Sequence, residues 1–254
     1  MSDGQAKDRA TPADAPRPRA GDHDYRAFVG PPERYDLIAA MTFNLLTTLG
    51  LREHHQVLDI GCGSLRVGRL LIPYLRSGHY TGIEPNQWLV DEGIERETGR
   101  DLIALKQPRL LLADGASGLA PEERFDYVFA QSIFSHCGLD LIERWLREIH
   151  PRMRADGVFV ATFFPGLQDS ASRGWSYPAN VRYRTATVAS LAREVGFAFR
   201  LLDWTHPSQQ WALLSKGGYD ASWLDGPETL SWNLMAERFG VRLGPTPAAG
   251  RSRP

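Results

Sequence analysis

The sequence predicts an α/β protein built on a doubly wound sheet of seven strands, mostly parallel, that ends in an antiparallel hairpin. Two observations carry this. Short apolar runs alternate with helix-length amphipathic stretches from about Glu33 to Val195, and strands separated by helices pair in parallel through right-handed crossovers. The last two strand-like runs, Phe197–Trp204 and Gln210–Ser215, are only five residues apart. That is too short for a crossover, so they pair antiparallel.

The elements follow in order. Ile38, Met41, Leu45, Leu46 and Leu49 recur at helical spacing between Pro31-Pro32 and Gly50, which predicts a first helix over Glu33–Leu49. Gln56–Ile60 is a buried-type strand running into Gly61-Cys62-Gly63, and a helix with Val67, Leu70, Leu71 and Tyr74 on one face comes next. Tyr80–Ile83, Leu110–Ala113 and Phe125–Ala130 are strands two to four, and the helix after the fourth carries Leu139, Ile142, Leu146, Ile149 and Met153. Gly157–Phe163 is the fifth strand, and Val188, Leu191, Ala192 and Val195 mark a helix closed by Gly196. The expectation is five strands, each separated from the next by a helix.

The chain has 254 residues, 43% of them hydrophobic and 23% charged, so it can bury one sizeable core. Lys and Arg number 29 against 30 Asp and Glu. That balance argues against nucleic acid as the main partner, since phosphate binders carry a basic excess. Two cysteines make no disulfide framework and fit a reducing compartment. No apolar run approaches the roughly 20 residues of a membrane span, and residues 1–22 lack a signal-peptide core, so the expected setting is the cytoplasm, with no membrane partner. Residues 1–22 and 244–254 are poor in large apolar side chains and read as disordered tails, with 221–243 a helical extension before the second.

Three strand ends carry chemistry. Asp59-Ile60-Gly61-Cys62-Gly63-Ser64-Leu65-Arg66 is a strand, Gly turn and helix start, the arrangement by which open α/β sheets bind nucleotides. Arg66 stands where a dinucleotide fingerprint has its last glycine, and Asp59 would repel a diphosphate but suit a cationic ligand. Glu84 ends strand two, 23 residues after Gly61, close to the roughly 20-residue spacing of a ribose-binding acid. Asp114, before Gly115, follows strand three and can accept from an adenine amino group. Each has a plainer reading: Asp59 as a helix N-cap, Glu84 as a surface acid, Asp114 as an Asp-Gly turn. Cys62 reads as packing more than as a nucleophile, and neither cysteine has zinc-site spacing.

Asp59–Gly63, Glu84, Asp114 and the closing hairpin together resemble the class I, Rossmann-like S-adenosylmethionine (SAM) dependent methyltransferases over roughly Glu33–Lys216. Gly61-Cys62-Gly63-Ser64-Leu65-Arg66, Glu84-Pro85-Asn86 and Gln131-Ser132-Ile133-Phe134-Ser135-His136 look like a bacterial, small-molecule-type branch. The resemblance implies a catalytic domain over 23–220 that includes an N-terminal helical lid, with SAM as cofactor and S-adenosylhomocysteine as product. It implies cofactor contacts at Asp59, Gly61, Cys62, Gly63, Arg66, Glu84, Pro85, Asn86, Asp114, Gly115 and Gln131. Many members have a third glycine where this chain has Leu65.

The family places catalytic groups at the end of strand four. The Asn/Asp-Pro-Pro-Tyr/Phe loop of amino-methylating members is absent there, and His136 is either a general base or a residue that only shapes the pocket. Ser132, Trp175, Tyr177, Tyr183, His206 and Gln210 are candidates for an acceptor pocket, with packing of loops as their alternative. Tyr25, Phe28 and Tyr35 are candidates for a lid. The expected activity is methyl transfer to a small-molecule acceptor, a hydroxyl ahead of carbon or amine. The rival readings are a SAM-binding protein without catalysis, an RNA methyltransferase and an NAD-dependent oxidoreductase.

Overall fold

The structure, a computed structural model, describes residues 18–224. Residues 1–17 of the tail expected at 1–22, most of the helical extension expected at 221–243 and the tail expected at 244–254 lie outside the described residues. The strands are β1 (Val57–Ile60), β2 (Tyr80–Ile83), β3 (Arg109–Leu111), β4 (Phe125–Ala130), β5 (Met153–Pro165), β6 (Arg182–Tyr183), β7 (Ala198–Leu202) and β8 (Gln210–Ser215). The helices are α1 (Tyr35–Thr48), α2 (Gly68–Tyr74), α3 (Gln87–Gly93), α4 (Arg100–Lys106), α5 (Leu139–Ile149) and α6 (Thr185–Val195).

The sheet order is β3-β2-β1-β4-β5-β8-β7, with the two-residue β6 beside the end of β5. β8 is antiparallel to both β5 and β7, and the pairs from β3 to β5 are parallel. The predicted sheet and hairpin are therefore present. One expectation fails: no α-helix separates β3 from β4, only a short 3-10 turn at Ala116–Gly118. Asp114-Gly115, Ser117-Gly118 and Pro121 break that stretch before an apolar stripe can form.

Side chains alternate across the sheet with the period of two that strands impose. Leu58, Ile60, Val128, Ala130, Phe159 and Ala161 face a core completed by Ile142 and Leu146 of α5 and Val188 and Ala192 of α6. Val57, Tyr127, Phe129, Val158 and Val160 face the other core, with Leu45 and Leu46 of α1 and Leu71 of α2. A sheet covered on both faces leaves its carboxyl edge as the place for a site. β1 and β4 are neighbours there while their following strands run outward in opposite directions, which opens a crevice between them.

Residues 19–31 form a strap of turns across that edge rather than a tail up to 22. The Gly21 amide donates to the Ala27 carbonyl at 2.9 Å. His23 stacks on Trp88 at 4.2 Å between ring centres, and Phe28 packs edge-on to the same indole at 5.2 Å. Tyr177 donates its hydroxyl to the Phe28 carbonyl. A charged anchor completes the hold. Glu97, its side chain 4% exposed, accepts from Arg26 at 2.8 Å, Tyr25 at 3.0 Å and Arg69 at 3.2 Å, and Arg69 also reaches Asp36 at 2.6 Å. Removing a nearly buried carboxylate from two guanidinium partners leaves both underpaired. Glu97→Ala is expected to lower stability by about 2–3 kcal/mol. Limited proteolysis should then cut residues 19–31 before the domain unfolds in a urea titration.

Candidate active site

The carboxyl edge holds a cavity of about 830 Å³, in the upper part of the roughly 300–1,000 Å³ typical of small-molecule sites. Its walls are built from strand ends: Ile60 ending β1 and Gly61 after it, Glu84 after β2, Asp114 after β3, Gln131 and Ser132 after β4, Phe164 in β5. The strap closes it through Ala20, Phe28, Val29 and Gly30.

The Gly turn is shaped by left-handed backbone. Gly61 has φ +71° and Gly63 φ +54°. A Cβ on Gly61 would collide with Ile133, and one on Gly63 would sit 2.7 Å from the Val29 side chain. Both glycines therefore form a cradle that any larger residue would fill. Leu65 occupies the third left-handed seat, at φ +58°. Its side chain is fully buried in the α1 core. Burying a leucine stabilises by more than the roughly 1–2 kcal/mol that the left-handed conformation costs.

Glu84 is buried and holds the turn in place. One carboxylate oxygen accepts from the Gly63 amide at 3.1 Å, the other from the Asn86 amide at 2.9 Å and its side-chain nitrogen at 2.6 Å. Burial raises its pKa, and these hydrogen bonds pull it back. A carboxylate offers about four acceptor positions, so these three bonds leave about one, on a residue that lines the cavity. Pro85 and Asn86 line the same wall. The Asp114 carboxylate is exposed and makes no hydrogen bond among the described residues, while its carbonyl accepts from Arg144 at 2.8 Å. The donor and acceptor set fits SAM: a cradle without side chains, a buried acid and a free acid, in that order along the edge.

Arg66 is 8% exposed and spans the site. It donates to the Val29 carbonyl of the strap at 2.8 Å and to the Gln131 side-chain oxygen. Burial lowers its pKa to about 10, opposed by the nearby Tyr35 and Asp59. Gln131 in turn donates to Ser132 Oγ at 2.7 Å, and Gln209 donates to the same oxygen at 2.9 Å. Ser132 stands at φ +60°, its amide fixed on Thr162 Oγ1 at 2.7 Å.

Two histidines reach the cavity in opposite tautomers. His136 closes a 3-10 turn after β4, and its Nδ1 lies 2.9 Å from the Ala179 carbonyl. A carbonyl only accepts, so Nδ1 carries the proton and Nε2 keeps a lone pair. Burial depresses its pKa below 6.5. His206 is reversed: Nδ1 accepts from the amides of Ser208 at 3.1 Å and Gln209 at 2.8 Å, which leaves the proton on Nε2. Burial, then the field of Arg66 and Arg34, lowers its pKa to about 4, so it is neutral at pH 7. Trp175 and Tyr177 flank His136, with ring centres at 5.9 and 5.0 Å. They are held there because Gly138 and Ser176 amides zip the segment after β5 onto the chain after β4.

Several expected contacts lie elsewhere. Asp59 alternates with Leu58 and Ile60, so it faces away from the cavity and accepts from Tyr80 at 2.7 Å. Burial raises its pKa to about 7. The Cys62 thiol packs against Gly82, and burial pushes its pKa well up. Gly115 turns in toward Arg144 and Glu148. Tyr25 is drawn to Glu97, Tyr35 is buried against Ser64, and the Tyr183 hydroxyl donates to the Cys137 carbonyl. Gln210 is also absent from the wall, where its neighbour Gln209 stands instead. Arg34, Arg144 and Asn180 line the cavity without a sequence signal that marks them. Among the described residues no three His, Cys, Asp or Glu side chains are grouped to hold a metal, and no helix is long and apolar enough to cross a membrane.

Residues 58–159 match a family model described as a methyltransferase domain. Among solved structures, the chain is similar to magnesium protoporphyrin IX methyltransferase from Synechocystis PCC 6803 with bound SAM, at 15% identity and a TM-score of 0.55, over 78% of this chain and 88% of that one. It is similar to a SAM-dependent methyltransferase from Clostridium acetobutylicum ATCC 824, at 13% identity and 0.55, over 72% and 92%. A mitomycin 7-O-methyltransferase matches at 17% identity and 0.56, over 74% of this chain and 55% of that one. At these identities the likeness is one of fold.

The seat of Leu65 is open to a direct test. Leu65→Ala keeps the backbone strain and empties the core, at about 3–5 kcal/mol, whereas Leu65→Gly empties the core but relieves the strain. Urea denaturation should find the glycine variant the less destabilised of the two, by about 1 kcal/mol.

Proposed function

We propose that this chain, which matches a methyltransferase-domain model over residues 58–159 and shares the fold of SAM-dependent methyltransferases, is a class I, SAM-dependent enzyme that methylates a hydroxyl of a small molecule, with His136 as the general base. The observation that carries the reading is the tautomer of His136, whose Nδ1–H is engaged by the Ala179 carbonyl while Nε2 keeps its lone pair at the cavity wall. Gly61 and Gly63 would cradle the methionine part of the cofactor, Arg66 would supply positive field for its carboxylate, Glu84 would accept from ribose, and Asp114 would accept from adenine. SAM, when bound, supplies an electrophilic methyl group on a sulfonium that leaves without needing a proton.

What remains for the chain is orientation and one proton. His136 Nε2 takes the proton of the acceptor hydroxyl as its oxygen bonds to the methyl carbon. Trp175, Tyr177 and Phe28 exclude water and hold the acceptor against the methyl. The size of the cavity and its enclosure by the strap favour a small molecule over a polymer. A cytoplasmic setting belongs to the same proposal, supported by the two buried free thiols, which fit a reducing compartment; a place in the bacterial small-molecule branch rests on the sequence resemblance alone.

Glu84→Ala removes a charge-assisted hydrogen bond to the cofactor and unpins the Gly63 amide. Calorimetry with S-adenosylhomocysteine is expected to show a loss of about 1.5–3 kcal/mol, roughly 10- to 150-fold. Unchanged affinity would remove Glu84 from the cofactor site.

His136→Ala is expected to lower turnover about 10²–10⁴-fold with little change in cofactor affinity. Because burial disfavours the imidazolium, the wild-type rate should hold at neutral pH and fall only below about pH 6.5, as the base is protonated. That acid limb should vanish from the residual rate of the variant. Near-full activity in the variant would leave His136 as pocket lining alone.

A further inference from the structure

The cavity is polarised. Its acids, Glu84 and Asp114, stand at the ends of β2 and β3. The part beyond β4 has no carboxylate: Arg34, His136, His206 and the phenol of Tyr177 line it. Arg34, at the end of the 3-10 turn that leads into α1, is exposed, and its guanidinium makes no hydrogen bond or ion pair within the described residues. It lines the cavity, and its charge bears on His206. His206 adds a fixed donor, because two loop amides hold Nδ1 and leave the proton on Nε2, which lies 3.4 Å from the Gln131 side-chain nitrogen; that nitrogen is itself a donor, so the pair calls for an acceptor from a ligand. The other side of the acceptor space is aromatic: Phe28 packs on Tyr177 at 5.1 Å, and Trp175 stacks beside Tyr177 at 6.1 Å.

An unpaired guanidinium and a neutral N–H donor, facing a wall of rings and no acid, select for a flat ligand with an anionic oxygen group. A guanidinium matches a carboxylate in shape as well as charge. We infer that the methyl acceptor is a hydroxylated aromatic carboxylic acid, its ring on the Phe28–Tyr177–Trp175 wall and its carboxylate on Arg34 and His206. The inference rests on the hydroxyl methyl-transfer reading above. The methionine carboxylate of the cofactor is the other source of an anion here, and it has a cation of its own in the buried Arg66.

The test uses the full chain saturated with S-adenosylhomocysteine and matched pairs of ligands: 4-hydroxybenzoate, 3,4-dihydroxybenzoate and 3-hydroxy-2-naphthoate against their carboxamides, read by calorimetry. The carboxylates are expected to bind at least about tenfold more tightly than the amides, the effect of one charge-assisted contact. In Arg34→Met the preference should shrink below about threefold, with S-adenosylhomocysteine affinity unchanged. Equal binding of acids and amides by the wild type would overturn the inference, as would failure of every ligand in both series to bind. A variant that loses affinity for S-adenosylhomocysteine but not for methylthioadenosine, which lacks the amino-acid part, would assign Arg34 to the cofactor instead. Failure of the wild type to bind S-adenosylhomocysteine at all would strike the cofactor reading itself, a separate outcome visible before any aromatic ligand is added.

Discussion

The site depends on one buried cation. Arg66 leaves the Gly turn after β1 and reaches the strap at Val29 and the end of β4 at Gln131. Three segments distant in sequence are thereby set at fixed spacing. A guanidinium suits the task because it stays charged and offers five donors in a planar fork. Both partners that it holds are neutral, with Asp59 the carboxylate whose charge bears on it. The charge is therefore left partly uncompensated beside the cavity, and an anionic group of a ligand is its natural complement. The hydrogen-bond chain continues from Gln131 to Ser132 and Gln209, so the same cation also orders the cavity wall after β4.

Around this centre the two ends of the cavity differ in chemistry. The β2 and β3 ends present the carboxylates of Glu84 and Asp114. The far end presents cations, neutral donors and rings. The opposed tautomers of His136 and His206 arise from backbone alone: one ring meets a carbonyl, the other two amides. Side chains of one type thus become an acceptor and a donor without any change in protonation.

Much of this was legible in the sequence, for physical reasons that can be named. Buried parallel strands read as apolar runs, and an acid directly after such a run stands out, which is how Glu84 and Asp114 were found. The direction of a side chain was harder to read. Asp59 lies between two residues that face the α5 core, so the period of two sends it to the opposite face, and its position beside the glycines was misleading. The strap was hidden because its hold comes from Trp88, Glu97 and Tyr177, far along the chain, and no local pattern reports such contacts. Arg34 was hidden for the opposite reason: an arginine at the start of a helix is ordinary until the cavity beside it is known.

The position of β8 sets the order in which the domain can be completed. It is the last described strand in sequence, yet it sits between β5 and β7 and pairs with β5 through six residues. It gives Trp211 and Leu213 to one core and Ala212 and Leu214 to the other. A chain emerging from the ribosome therefore cannot close either core until residue 215 is free. Until then β5 exposes an open edge along its whole pairing length, the kind of surface that recruits other strands. Slow, non-local pairing of this type makes the final strand the step at which nascent chains are most exposed to aggregation.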